Sequence, residues 1–205
     1  MLAETADNLE ECFKRIDKAL FEYKYDGARL SIHKNNEVVN IFTRESEEVS
    51  ASLPEIVAEI RKIQHSFILD CEIIPFEHSP KAFQDLIKRL RRKYRVDEFK
   101  RKIPVKLYVF DLLYLDGVAL IDTPLLERRT LLKRVIPQQT ERIEIATCKL
   151  TKSSAEARIM FQEALDLGFE GLMIKNPDSR YTPGKRGNEW LKLKPEADTL
   201  GPLGR

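Results

Sequence analysis

The chain has 205 residues, 42% hydrophobic and 33% charged, with a net charge of only +2. That is length and apolar content enough for one large or two small domains with a real core, and it excludes a disordered chain. No apolar run approaches the roughly 18 residues of a membrane span, the N-terminus lacks a signal-peptide pattern, and Cys12, Cys71 and Cys148 form no CxxC pair, so neither a disulfide framework nor a zinc site is indicated and an intracellular, reducing location is expected.

Residues 8–20, NLEECFKRIDKAL, space Leu9, Phe13, Ile16 and Leu20 as one helical stripe. LFEYKY, ARLSIHK and EVVNIFTR read as strands. Asp26-Gly27 reads as a tight hairpin turn between the first two, and residues 35–37 as the turn before the third. Ser52 stands three residues before Glu55, the spacing of a capping box, ahead of a helix over LPEIVAEIRKI with Pro54 in its first turn. SFILDCEIIPF (66–76) reads as a buried strand, KAFQDLIKRLRRK as a helix, and VKLYVFDLLYLDG (105–117) as a strand ending in an Asp-Gly turn.

Thr123-Pro124 starts a helix over LLERRTLLKRV. Ser153 and Glu156 repeat the capping-box pattern, and Gly168 suits the stop of that helix. EGLMIK (170–175) and EWLKLKP (189–195) read as two further strands, joined by NPDSRYTPGKRGN, a mobile basic loop by composition. At least six strands and about five helices, several strands joined directly by turns and no internal repeat predict an α+β fold. Antiparallel sheets flanked by helices are expected rather than a doubly wound parallel sheet.

The small net charge hides a local one. Residues 88–102, KRLRRKYRVDEFKRK, carry nine basic and two acidic side chains. This is either a phosphate-binding surface or a solvated helix end with Asp97 and Glu98 offsetting part of the charge.

Among single residues Lys24 comes first, in EYKYDGAR. An ordinary lysine, with a pKa of about 10.4, is an ammonium at neutral pH and attacks nothing. Neighbouring cations and desolvation favour the neutral amine, and Arg29, Arg44, Lys192 and Lys194 are cations that could converge on it and also bind nucleotide phosphates. Asp26 could orient the amine, and Gly27 permits a sharp turn or a close approach. The same letters also fit a surface lysine beside a turn.

Asp70 and Glu72 share one face of an apolar strand. A carboxylate there needs a partner, either a structural ion pair or, together with Glu170, a magnesium ion on oxygen ligands. Phe110 reads as core or as a platform for a base. Lys192 and Lys194 share a face opposite Leu191 and Leu193, either solvated or aimed at one phosphate. No Walker motif or dinucleotide fingerprint is present, His33, His65 and His78 lack metal-ligand spacing, and His78 is expected on a surface loop.

Taken in order, EYKYDGAR, FTRES, FILDCEII, LYVFDLLYLDG, EGLMIK and WLKLKP resemble the motifs of the ATP-dependent DNA ligases, within the lysine-dependent nucleotidyltransferases. The resemblance implies an ATP-grasp-like nucleotidyltransferase (adenylation) core over residues 1–198, with 199–205 as a tail. It implies that Lys24 attacks the α-phosphorus of ATP and carries AMP as a phosphoramidate, with Mg2+ (or Mn2+), before AMP passes to the 5′-phosphate of nicked double-stranded DNA. Glu22 would help recognise adenine, Phe110 would stack on it, and Arg29 and Arg44 would contact the ribose and phosphate side. Glu72 would bind the ribose hydroxyl or assist the metal, Glu170 would help place the metal, and Arg186, Lys192 and Lys194 would hold phosphate.

The family's N-terminal DNA-binding domain and C-terminal OB-fold domain fall outside the resemblance. The expectation is therefore slow lysine adenylation and very weak nick sealing, with no role at a membrane. The R-x-D-K letters at Arg15–Lys18 match the motif of that OB domain but fall on the first predicted helix, and are read as coincidence. The alternatives are an RNA ligase, a capping-type nucleotidyltransferase, or a noncatalytic nucleotide- or DNA-binding module.

Overall fold

The computed structural model describes residues 1–77, 79–92, 94–136 and 139–195. In chain order its elements are β1 Leu2–Thr5, α1 Leu9–Arg15, β2 Ala19–Tyr23, β3 Ala28–Asn35, β4 Val38–Thr43, α2 Pro54–Arg61, β5 Phe67–Pro75, α3 Pro80–Leu90 and α4 Val96–Lys102. They continue as β6 Val105–Leu115, β7 Val118–Ala119, α5 Leu125–Val135, β8 Ile143–Ile145, β9 Cys148–Thr151, α6 Ser154–Asp166, β10 Leu172–Lys175 and β11 Arg186–Leu193. The predicted α+β class holds. Pairing is mostly antiparallel, with one parallel pairing in each sheet, β1 with β11 and β6 with β8. The chain divides into two compact units, Met1–Tyr25 with the chain from Thr147 onward, and Asp26–Ala146.

The first unit is a sheet in the order β1-β11-β10-β2-β9. Ala19, Phe21, Leu172, Ile174, Leu191 and Leu193 alternate onto one face and pack with Leu9 and Cys12 of α1 and Ala157, Met160 and Ala164 of α6. Ser153 caps α6, accepting from the Glu156 N–H at 3.3 Å, but the capping box is not closed, since the Ser153 N–H donates to Thr151 Oγ1 at 2.9 Å and the Glu156 carboxylate accepts from the Thr151 hydroxyl; Gly168 leaves the helix at φ +80°.

The second unit is a sheet in the order β4-β3-β5-β6-β7, with β8 beside β6. Leu30, Ile32, Leu69, Cys71, Ile73, Leu107 and Val109 face a core closed by Ile56 and Ile60 of α2, Leu86 of α3 and Leu132 of α5. The turns at Asn36 (φ 51°) and at Asp116-Gly117 (φ 44° and 96°) form as read.

Several expectations change. The first helix ends at Arg15, because the chain extends at Ile16 (φ −138°), and Leu20 belongs to β2. Arg15, the first letter of the R-x-D-K match, is occupied by Glu4 at 2.5 Å and Asn188 at 2.7 Å. Asp26-Gly27 makes no hairpin, since β2 and β3 lie in different sheets. Gly27 serves instead to admit the β5 backbone, where an added Cβ would lie 2.1 Å from the Ile73 carbonyl oxygen.

Ser52 does not cap α2. Its hydroxyl donates to the carbonyls of Leu90 (3.0 Å) and Arg92 (2.6 Å), while Glu55 pairs with the buried Arg89. The loop before β11 is anchored rather than mobile by packing, with Ser179 and Tyr181 buried and Tyr181 edge-on to Trp190 at 6.0 Å. β1, β7, β8, β9 and α4 were not anticipated as separate elements. His78 and residues 199–205 lie outside the described residues.

Candidate active site

In the first unit, the face opposite the helices carries Glu22 of β2, Met173 and Lys175 of β10, and Trp190 and Lys192 of β11, by strand alternation and register. Lys24 continues this face one residue past β2. Its N–H donates to the Gly171 carbonyl and its carbonyl accepts from the Glu170 N–H, both at 2.9 Å, so the β2–β10 ladder runs on past the strand ends. The result is an ion pair between the Lys24 ammonium and Glu170 Oε2, an oxygen that Lys194 Nζ also reaches at 3.0 Å.

One carboxylate therefore holds two of the predicted lysines. The acid on the Lys24 amine is Glu170, 146 residues away in sequence, where Asp26 had been the expected partner. Burial pushes the Glu170 carboxyl up, but the hydrogen bonds and charges of Lys24 and Lys194 outweigh it and leave it below its ordinary 4.5.

Gly171 makes this arrangement possible. It sits at φ +135°, and a Cβ there would lie 2.1 Å from the Leu193 carbonyl oxygen. Only glycine lets β10 begin against the end of β11, which is what sets Glu170 beside both Lys24 and Lys194. Gly171→Ala is expected to cost about 3 kcal/mol through strain at positive φ plus the backbone clash. Urea unfolding checks this; an unchanged midpoint would contradict the close approach.

Beneath Lys24 on the same face, Glu22 and Lys175 form a buried pair, with Lys175 Nζ 4.1 Å from the Trp190 ring centroid. Lys175 was missed in the sequence. Its signal was a lysine closing the apolar run LMIK, where burial requires a partner.

In the second unit, Arg29 of β3 lies opposite Glu72 of β5 and forks onto Asp70 (Nε–Oδ1 2.9 Å, Nη2–Oδ2 2.6 Å). Asp70 and Glu72 share a face, as the spacing predicted. β6 pairs Asp111 with Asp70 and Val109 with Cys71, so Phe110 is an extra, bulged residue. It lies outside the core cluster, with the Arg29 guanidinium 5.6 Å from its ring centroid. Arg129 of α5 fixes the bulge, donating to the Phe110 carbonyl at 3.1 Å and the Ala146 carbonyl at 2.7 Å. Arg44 is exposed in the turn after β4, and Arg186 is exposed at the start of β11, opposite Leu2 of β1.

The structure thus gathers Lys24, Glu170 and Lys194, with Glu22 and Lys192 on the same face of one sheet. In the other sheet it gathers Arg29, Glu72 and Phe110. Among the described residues no group of three His, Cys, Asp or Glu side chains could hold a metal ion. Single carboxylates such as Glu72 and Glu170 fit magnesium only in its usual manner, with one or two carboxylates and the rest of the shell from phosphates and water.

The lowered Glu170 carboxyl sets a pH dependence. A group depressed in the folded state adds stability that is full above its ordinary value and is lost as pH falls through the folded one. Wild-type chain is therefore expected to lose, below about pH 4.5, a margin of no more than about 1 kcal/mol that Glu170→Gln lacks at every pH. Urea midpoints measured from neutral to acid pH check this, and parallel curves for the two chains would contradict it.

Solved ligase structures share this fold. The ligase domain of M. tuberculosis LigD superposes with a TM-score of 0.73 at 28% identity, over 95% of this chain and 58% of that one. A mycobacterial DNA ligase D complexed with ATP and MES gives 0.70 at 26%, over 95% and 59%. The class is an α+β adenylation-type domain. The model of the ATP dependent DNA ligase domain matches residues 1–194, and the chain belongs to that family.

Among its relatives, the DNA ligase of Archaeoglobus fulgidus is 43% identical over 202 residues and that of Thermococcus fumicolans 41% over 205, each covering 98% of this chain. The chain spans 36% of the length of both proteins. No helix among the described residues is long and apolar enough to cross a membrane.

Proposed function

We propose that the chain takes ATP and transfers AMP to Lys24, releasing pyrophosphate. The Lys24 ammonium first gives up a proton to solvent; its Nζ lone pair then attacks the α-phosphorus, a P–N bond forms, the bond to the α–β bridging oxygen breaks with its electron pair leaving on pyrophosphate, and the second proton on nitrogen passes to water. The observation that carries this reading is the Lys24–Glu170–Lys194 cluster within a chain of this family. A carboxylate held below its ordinary pKa is a weak proton acceptor, so Glu170 is assigned to orienting the amine, while Lys194, Lys192 and Arg186 take up phosphate charge.

Glu22 would read the adenine edge and Phe110 would stack on its face. Arg29, Arg44 and Glu72 would engage the ribose and phosphate side. Magnesium, taking Glu170 or Glu72 as a ligand with the phosphates, would supply neutralisation of charge on the leaving pyrophosphate. Keeping AMP on a P–N bond preserves its activation for transfer to the 5′-phosphate of nicked duplex DNA, where a 3′-hydroxyl then displaces it. Those later steps are expected to need protein surface beyond these 205 residues, in keeping with the 36% share of the relatives' length.

Incubation with α-labelled ATP or GTP and magnesium, followed by denaturing electrophoresis, tests the reading. Covalent label from ATP alone is expected. Label from GTP in preference would indicate capping-type chemistry, and no label with either nucleotide would contradict the adenylation reading.

A further inference from the structure

The basic run 88–102 takes no part in the proposed lysine chemistry; Lys93 lies outside the described residues, and the fold sorts the other cations of the run into two kinds. Arg89 is 1% exposed and is engaged internally, with Glu55, the Ile103 carbonyl at 2.6 Å and the Ser52 carbonyl at 3.3 Å. Lys88 is tied to Asp85 at 2.9 Å and Lys102 to Glu98 at 2.6 Å. Arg91, Arg92, Arg95, Lys100 and Arg101 form no ion pair among the described residues, and all but the half-buried Lys100 are exposed.

These five occupy the turn after α3 and the body of α4. Arg95 adopts a left-handed φ of 57° and its carbonyl accepts from the N–H groups of Glu98 and Phe99, while the Arg92 guanidinium lies 4.6 Å from the Phe99 ring centroid. Around Glu98 the cations are close enough to act on it: the Lys102 hydrogen bond and the charges of Lys102, Arg95 and Arg101 hold its carboxyl below the ordinary value. Tyr94 projects from the same turn, 83% exposed.

We propose that Arg91, Arg92 and Arg95, with Lys100 and Arg101 of α4, grip the sugar-phosphate backbone of duplex DNA at phosphates other than the one that reacts. The proposal rests on the reading of the chain as acting on nicked duplex. Four of the five cations are arginines, whose planar fork matches a phosphate's two oxygens, and the Tyr94 hydroxyl can donate to another. An acidic protein partner fits less well. Protein interfaces have an apolar core, and among the described residues the exposed part of this corner offers Tyr94 as its one large apolar side chain, whereas protein–DNA interfaces are polar and strongly positive. Such contacts position the duplex without reading its sequence.

The test is the triple variant Arg91→Gln, Arg95→Asn, Arg101→Gln in the 205-residue chain. Asparagine tolerates the left-handed backbone at position 95, and Arg92 is left in place on Phe99. Affinity for a labelled nicked duplex is measured between roughly 50 and 200 mM salt, alongside lysine adenylation from ATP without DNA. The slope of log affinity against log salt is expected to become shallower by up to about 3, with duplex binding weakened at least about tenfold at the lower salt and adenylation unchanged.

An unchanged slope, or a poly-glutamate competitor displacing duplex as well as unlabelled duplex does, would overturn the proposal. A chain that adenylates Lys24 but shows no duplex binding would overturn it too, and would leave the lysine chemistry standing. A shallower slope in a chain that never adenylates would support this surface and sink the lysine reading instead.

Discussion

Lys24→Arg is expected to abolish lysyl-adenylate formation, by at least about a thousandfold, while leaving the fold intact. The arginine keeps a cation for Glu170 in the pair that Lys24 and Lys194 share, so stability should change by less than about 1 kcal/mol. What it lacks is a nitrogen that can be deprotonated and attack phosphorus. Lys24→Ala should be equally inactive in labelling with α-labelled ATP, with Glu170 then held by Lys194 alone. The contrast separates a nucleophile from a charge that only binds phosphate. A phosphate-binding cation would be partly rescued by arginine, and adduct at near wild-type level in Lys24→Arg would remove Lys24 from the reacting position.

Arg128→Met should destabilise the Asp26–Ala146 unit by about 3–5 kcal/mol, the largest stability effect anticipated in the chain. Arg128 and Asp111 side chains are both 0% exposed and paired twice, Nε to Oδ1 at 2.8 Å and Nη2 to Oδ2 at 2.9 Å. Removing the guanidinium strips the Asp111 carboxylate of its paired cation at a fully buried position. The double variant Asp111→Leu with Arg128→Met removes both charges together and should recover most of the loss. Urea unfolding followed by circular dichroism reads both. A single variant within about 1 kcal/mol of wild type, or a double no better than the single, would contradict the account. The pair also matters to the site, because α5 carries Arg129 next to it and Arg129 holds the carbonyl of Phe110.

How far the sequence could be read follows from the range of each interaction. The alternation of Leu191 and Leu193 against Lys192 and Lys194 is a local period of two, and β11 keeps it. Asn36, Asp116-Gly117 and the Ser153 hydroxyl behave as their letters predict because turn and cap chemistry is settled within four residues.

Asp26-Gly27 has the chemistry of a turn, but the same chemistry serves a chain leaving one sheet for another, and only the partner strands decide. Ser52 has the capping spacing, yet the Leu90 and Arg92 carbonyls, 38 and 40 residues on, take its hydroxyl. The bulge at Phe110 is invisible in the letters. The inward residues of β6 run Val105, Leu107, Val109 and then Leu112, and this slip appears only against the register of β5. Lys24 was legible as a candidate. Its carboxylate partner, 146 residues away, and the sharing of that partner with Lys194 were not, since both come from strand pairing rather than from any local spacing.

The most direct test is the mass of the purified chain after incubation with ATP and magnesium, followed by peptide mapping of any adduct. One added AMP, located on Lys24 and reversed by pyrophosphate, is the predicted result. An unmodified mass under every divalent metal tried, or an AMP carried by another side chain, would contradict the assignment of Lys24 as the nucleophile.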